Sequence, residues 1–496
     1  MATRVFHVPR PTLLRIDPLG AAFVLALVLG IVARATYNHA MPLWFDETFT
    51  GTIATQPTGA KLIRWCLTEL TGPAFYAPTW LWAQVFGAGD VALRAPSLLL
   101  SIAAPLVLAR WGHPDRGVRL FWAGAALLWL PALPSANDAR PYAQLFFLAC
   151  LQAIAFRRLL LQPTTRTALS WTVATAILLL THYTSVIPGL IQGLVFLAIH
   201  RRRAVATWPA LAPFVPVAAW IGWHWSFLTS MTMAPGSSGA SIGPAELLAV
   251  PGMIFGVQLV GVVVIGIVLV TFFWPGFRMR AGKLGETPDV ALATCALLAL
   301  AATLGLAAIH LGFAARYLTP TVPSLLFGLA LWARRTLRVD PRPVYAAFAV
   351  LAASIMGLLA ASIGSDEPDT RHAFSLEPAS AWLSERGPTR VVFLWTDQIG
   401  DMGFDRAPGN IADIAGFSFR RRGQPVAVDL VRRVPGRDPS TLARMAAGTD
   451  PRTAILWIAN DHEDPNPTEP RVAEQDPSWH CRDFGRGHVT VVACRR

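Results

Sequence analysis

Ala74-Phe75-Tyr76-Ala77-Pro78-Thr79-Trp80-Leu81-Trp82-Ala83-Gln84-Val85-Phe86-Gly87-Ala88 is the stretch on which the fold turns. It is apolar enough to pass for a membrane span, and counting it as one reverses the orientation of every later segment. Eleven other apolar segments surround it, at about 19 to 35, 91 to 109, 118 to 134, 141 to 157, 168 to 181, 184 to 199, 206 to 227, 250 to 274, 289 to 309, 317 to 333 and 343 to 363. The first follows Arg4, Arg10 and Arg15. Because so many spans come after it, it reads as an anchored helix with its N-terminus inside rather than a cleaved signal peptide.

With eleven spans and an inside start, the expected cytoplasmic loops carry Arg110, Arg116 and Arg119; Arg157, Arg158 and Arg166; Arg201, Arg202 and Arg203; Arg278, Arg280 and Lys283; and Arg334, Arg335, Arg338 and Arg342. Every inward loop is basic, as the positive-inside rule demands. The outward loop from about 228 to 249 has no Lys or Arg, and the short outward turns have at most one each, Arg140 and Arg316. A twelfth span at 74 to 88 would expose all the Arg clusters outside. That stretch is therefore expected to be a juxtamembrane helix on the outer surface, with Trp80 and Trp82 at the interface, inside a first outer loop running from about 36 to 90.

Composition agrees: 53% of the 496 residues are hydrophobic and 15% charged, against roughly 25% charged in soluble domains. The net charge of +12 does not mark a nucleic-acid binder. Residues 1 to 364 hold 25 Lys and Arg against 11 Asp and Glu, whereas 365 to 496 hold 17 against 19, so the basic excess is a matter of topology. The expected fold class is an α-helical polytopic membrane protein at the inner (plasma) membrane, with residues 365 to 496 forming an α/β domain outside the cytoplasm. In that tail, strands are expected at Val391 to Trp395, Val426 to Val431, Ala454 to Ile458 and His488 to Val492, and short helices at Leu376 to Arg386, N-capped by Ser375, and from Ser440 to Ala447. The tail has no P-loop, dinucleotide fingerprint or metal cluster, and its chemistry is silent. Cys66, Cys150 and Cys295 are scattered. Cys481 and Cys494 flank the last strands and can bridge if the tail lies outside. A tight hairpin at Gly485-Arg486-Gly487 would not set those two directly opposite, so the bridge stays open.

The polar residues expected at outer helix ends are few and chemically coherent. Asp46 and Glu47 lie in Trp44-Phe45-Asp46-Glu47-Thr48, and Arg94 opens the second span. Asp138, Arg140 and Tyr142 join the third and fourth, His182 and Tyr183 the fifth and sixth, and His310, Arg316 and Tyr317 the ninth and tenth. Each has a bland reading, since Arg snorkels to headgroups, Tyr sits in interfacial belts and acids cap helices. Together they suit group transfer from a lipid phosphate: Arg forms bidentate bonds to phosphate oxygens, and a carboxylate can accept an acceptor's proton. An Asp-Glu pair can also hold a hard cation such as magnesium, an option left open. A transition metal is not indicated, because His182 and His310 lack Cys or His partners.

These pieces resemble the polytopic C-type glycosyltransferases, the superfamily of protein O-mannosyltransferases and lipid A aminoarabinose transferases. The resemblance rests on Trp44-Phe45-Asp46-Glu47, Ala92-Leu93-Arg94-Ala95-Pro96-Ser97, Asn137-Asp138-Ala139-Arg140-Pro141-Tyr142-Ala143, Thr181-His182-Tyr183 and Arg316-Tyr317-Leu318-Thr319-Pro320, in order across residues 19 to about 335. It implies transfer of a sugar from a polyprenyl phosphate at the outer face, usually with inversion. Asp46 and Asp138 are the catalytic candidates; Arg94, Arg140, His182, Arg316, Tyr142 and Tyr317 are those for the donor and its phosphate; Glu47 is a candidate for acceptor or cation contact. One element departs: where many members carry His-Pro-Pro-Leu-Tyr-Tyr, this chain has Thr71-Gly72-Pro73-Ala74-Phe75-Tyr76.

The expected partners are membrane lipid, a polyprenyl-phosphate-linked sugar and an acceptor glycan, lipid or protein that the sequence does not name. A lipid-linked donor accounts for the missing nucleotide-binding loop. Two other functions are weighed. A transporter or flippase usually places charges near the midplane on interrupted, repeated helices, unlike the pattern here. A catalytically degenerate member would only bind a cell-envelope partner. Scarce Lys beside abundant Arg and Ala suggests a GC-rich bacterial genome.

Overall fold

A computed structural model describes residues 17–37, 41–233, 243–274, 285–308, 314–364, 375–396, 407–432, 434, 437–460, 472–485 and 489–496. A helix stands at each of the eleven expected segments: α1 (Pro18–Thr36), α5 (Asp90–Trp111), α6 (Arg116–Leu127), α8 (Tyr142–Leu161), α9 (Thr165–Thr181), α10 (Val186–His200), α11 (Phe214–Met233), α12 (Gln258–Phe273), α13 (Thr287–Ala308), α14 (Val322–Thr336) and α15 (Arg342–Gly364). The first outer loop adds α2 (Phe45–Ala54), α3 (Gly59–Cys66) and α4 (Pro73–Phe86), and α7 (Ala132–Ala136) follows α6. Among the described residues, six helices are long and apolar enough to cross a membrane, namely α1, α5, α8, α10 with the turn before it, α13 and α15.

Two expected spans each divide into two α-helices. Residues 118 to 134 divide where Pro131 ends the run between α6 and α7. The helix end is closed from outside: the fully buried Arg34 of α1 donates to the carbonyls of Ala126 (3.0 Å) and Leu127 (2.8 Å) and to Ser101 Oγ (2.9 Å). Carbonyls freed by a broken helix in an apolar layer need such donors. Residues 250 to 274 divide at Gly256, whose φ of 84° suits glycine.

The decisive stretch, α4, is 14 residues long, about 21 Å at the helical rise. That falls short of the hydrocarbon layer. α4 packs against α2, α3, α5 and α9 and leaves Leu81, Val85 and Phe86 exposed. Gln144 of α8 secures its start, donating to Ala74 O (2.9 Å) and to Thr181 Oγ1 (3.1 Å).

The tail is a mixed five-stranded sheet in the order β2-β1-β3-β5-β4, from β1 (Arg390–Trp395), β2 (Ala427–Val431), β3 (Thr453–Asn460), β4 (His480–Asp483) and β5 (Val489–Arg495). β2, β1 and β3 run parallel, while β5 is antiparallel to both β3 and β4. Helices α16 (Glu377–Ser384), α17 (Pro408–Arg421) and α18 (Pro439–Ala447) flank it. Sequence reading finds neither β4, which is short and largely exposed, nor α17, whose Gly409 and Gly416 mask the periodicity of its buried Ile411, Ile414, Ala415 and Ser418. α18 is capped by Asp438 rather than starting at Ser440: the Asp438 carboxylate accepts from Thr441 N at 3.1 Å. The N-cap of α16 is Leu376 rather than the expected Ser375; Ser375 Oγ lies just before it, accepting from Glu377 N (3.3 Å) while donating to Leu43 O (2.6 Å).

Cys481 and Cys494 are disulfide-bonded and directly opposite in the β4–β5 ladder, Cα atoms 4.1 Å apart. The expectation that a turn at 485 to 487 would offset them is corrected by the register, which pairs Cys481 with Cys494 and Asp483 with Val492; residues 486 to 488 lie outside the described ones.

The apolar core beneath the sheet is shared with the first outer loop. Phe45, Ile53, Leu62, Trp65, Phe75 and Tyr76 cluster with Val391, Phe393, Trp395, Leu456, Ile458 and Val491. Phe45 meets Trp395 edge-on at 4.8 Å between centroids. The expected domain boundary at 364 falls beside residues 365 to 374, which lie outside the described ones.

Candidate functional site

The acidic pair opens α2, and its two members point to different tasks. Glu47 is fully buried. Its carboxylate accepts from Arg94 Nε (2.7 Å) and Nη2 (2.5 Å), from Ala139 N (2.8 Å) and from Trp44 N (3.1 Å). Arg94 also donates to the carbonyls of Met41 (2.6 Å) and Pro42 (3.2 Å). This is a buried ion pair with its lone pairs and protons engaged, the condition under which such a pair is tolerated. It ties the loop, α5 and the 137–141 turn together. Two expectations are corrected by it. Glu47 has no oxygen free to share a cation with Asp46, and Arg94 directs its donors into the loop rather than toward a phosphate.

Asp46 keeps some exposure, and Arg140 Nη2 lies 3.9 Å from its Oδ2. Arg140 also donates from Nη1 to Asp46 O (3.2 Å) and is itself nearly buried. Asp138 Oδ1 accepts from Trp44 Nε1 (3.0 Å). Arg316 lies over the Tyr142 ring at 5.9 Å, a cation–π distance. The His182 ring is 5.6 Å from that of Tyr317 and 6.5 Å from that of Tyr142. Trp44, Asp138, Tyr142 and Arg316 form the polar side of a cavity of about 380 Å³ whose opposite walls are apolar, among them Trp129, Met253 and Leu358. Asp46, Asp138, Arg140, Tyr142, His182, Arg316 and Tyr317 are thus linked by contacts around or beside this cavity, while Glu47 and Arg94 engage each other and the loop. His310 lies outside the described residues.

The charge of His182 is set by its surroundings. Burial, with Arg140 and Arg316 adding to it, holds its imidazole down to about 3, so the ring is neutral at physiological pH. Its Nδ1 is bonded to Thr184 Oγ1 at 3.0 Å. It can hydrogen-bond a phosphate oxygen but brings no charge to it. The departing element abuts this histidine: Thr71 bridges to His182, and Gly72 N donates to Thr181 O at 2.9 Å. A Cβ at Gly72 would meet Leu180 O at 2.0 Å, so the close approach requires glycine.

Sequence reading misses Glu69. This acid follows α3 in the field of both Arg140 and Asp46, with the Tyr76 phenol beside it. Burial pushes its carboxyl up to about 7; Arg140 opposes that rise and Asp46 adds to it. Its one sequence signal was being the only acid between Glu47 and Asp90. No motif surrounds it.

No protein-family model matches the sequence, and no curated relative is found. Solved structures do match. ArnT from Cupriavidus metallidurans in the apo state aligns with a TM-score of 0.57 at 15% identity, over 96% of this chain and 97% of that one. ArnT from the same organism bound to undecaprenyl phosphate aligns at 0.53 and 15%, over 97% and 98%. The chain therefore has the fold of ArnT over nearly its whole length, in keeping with the C-type glycosyltransferase resemblance of its motifs.

Proposed function

We propose that this protein is a membrane glycosyltransferase that moves a sugar from a polyprenyl phosphate to an acceptor on the outer face, by a single inverting displacement. The observation that carries this reading is the meeting of Asp46 with Arg140 beside a cavity holding Arg316, Tyr142 and Asp138 against apolar walls. A lipid phosphate needs that mixture: cations for the phosphate, an apolar wall for the chain. The fold shared with a structure bound to undecaprenyl phosphate supports the same donor class.

In the proposed step the acceptor oxygen attacks the anomeric carbon, and its proton passes to the Asp46 carboxylate. The bond between that carbon and the phosphate oxygen breaks, and polyprenyl phosphate leaves with the electron pair. Arg140 and Arg316 balance its charge, with neutral His182, Tyr142 and Tyr317 as hydrogen-bonding or stacking partners. Asp138 acts through Trp44, orienting the cavity wall. Glu47 and Arg94 hold the loop that presents Asp46. The eleven-span topology, with the tail outside, completes the proposal.

Purified protein supplied with a polyprenyl-phosphate sugar should release or transfer sugar, and Asp46→Asn should lower the rate by about 10²-fold or more, the usual scale for a general base. Undiminished transfer by Asp46→Asn would remove Asp46 from the mechanism. Lipid movement across sealed vesicles without bond cleavage would favour a flippase instead.

A further inference from the structure

α1, α6 and α15 leave an apolar groove of about 480 Å³, lined by Phe23, Ala26, Leu120, Gly124, Phe348 and Ala352 among others, whose lining at Leu128 and Met356 comes within two residues of cavity-lining Trp129 and Leu358. The groove ends in a second, charged pocket of about 320 Å³ containing Asp115, Arg116, Gly117 and Arg334. Leu19 and Leu337 border both, so the two are continuous.

The charged end has donors to spare. Arg116 pairs through Nη2 with Asp17, and Arg334 through Nε with Asp115 (3.0 Å). Their side chains remain 55% and 37% exposed, so each guanidinium keeps edges turned to solvent. Asp17 and Asp115 are also occupied as helix N-caps, accepting from Gly20 N (3.1 Å) and from Gly117 N (2.7 Å). Arg338 and Arg342, close in sequence to pocket-lining Leu337 and groove-lining Val344, are exposed, as is groove-lining Tyr345.

We propose that this groove binds an anionic glycerophospholipid, one acyl chain between α1, α6 and α15 and the phosphate on Arg116 and Arg334. Basic pockets between membrane helices take acidic headgroups for the reasons these two arginines supply. The proposed headgroup site is not that of the reacting donor: Leu19, which borders the charged pocket, and Tyr37, which lines the cavity, are separated by a rise of about 27 Å along α1.

The test is lipid retention by the full-length protein in detergent, followed by native mass spectrometry with phosphatidylglycerol and phosphatidylcholine of the same chains. The intact protein should prefer phosphatidylglycerol roughly tenfold or more. Arg116→Gln with Arg334→Gln should abolish the preference. Ala352→Trp, which fills the groove and leaves both arginines, should weaken retention of either lipid. Equal retention of the two lipids by the intact protein overturns the proposal, as does a preference untouched by the double substitution. Should the double variant fail to fold, Ala352→Trp decides alone, and unchanged retention there overturns the proposal too.

Discussion

Asp46 and Glu47 are adjacent in sequence and a helix start turns them apart. Glu47 closes the first turn of α2 and is neutralised by Arg94, whereas Asp46 faces Arg140. Glu69 is the third carboxyl at this level and the one with a pH signature. Its folded-state value of about 7 lies above the ordinary 4.5, so the folded protein binds a proton there that the unfolded chain has released. The stabilisation is fully present below pH 4.5 and is lost as pH rises through 7. Between pH 5 and 8 the intact protein should therefore lose more thermal stability than Glu69→Gln, in melting curves recorded in detergent. Parallel curves for the two would show that Glu69 does not hold its proton more tightly in the folded state. If ionised Glu69 balances Arg140 during transfer, the transfer rate of the intact protein should also rise through pH 7, and Glu69→Gln should flatten that rise.

At the scale of elements, α2 is held from above by α17. Phe417 is fully buried, and a Cβ at Gly51 would come within 2.3 Å of its ring. The two helices approach this closely because Gly51 has no side chain. Cutting the ring away with Phe417→Ala should cost about 3 to 5 kcal/mol of stability, the usual range for an aromatic core truncation. It should also reduce transfer, because Asp46 lies in the first turn of α2. Chemical denaturation with a parallel transfer assay checks this; a stable variant with full activity would show that α17 does not set the position of α2. The tail's sheet is thus packed onto the loop that carries the acid, through Phe45 and Trp395, and not set aside from it.

At the scale of the whole molecule, the topology has a direct test. Single cysteines introduced at Ala60 and Arg202, in a background lacking reactive cysteines, should label from outside and inside respectively in oriented vesicles. Labelling of both from one side would overturn the eleven-span count, since an odd number of spans separates them. The same scale separates what was legible from what was not. Hydropathy and Arg placement located a helix at every apolar segment, because membrane solvation acts on each segment independently and leaves its mark in composition. The strands β1, β2, β3 and β5 were legible for a similar reason, as each is a short apolar run.

The amino-acid sequence by itself determined the helices, the sheet-bearing tail and most of the polar layer, Asp46, Arg140, His182 and Arg316 included. These follow from local hydrophobicity and from short motifs, which do not depend on distant partners. Only the tertiary structure decided how those residues divide their roles. Glu47 and Arg94 satisfy each other inside the loop, His182 is neutral, and Glu69 joins the site without a motif. It also set Cys481 opposite Cys494 and brought Phe417 onto Gly51. Burial and charge pairing are properties of neighbours far apart in the chain, and they exist only once the loop, the helix ends and the tail have packed together.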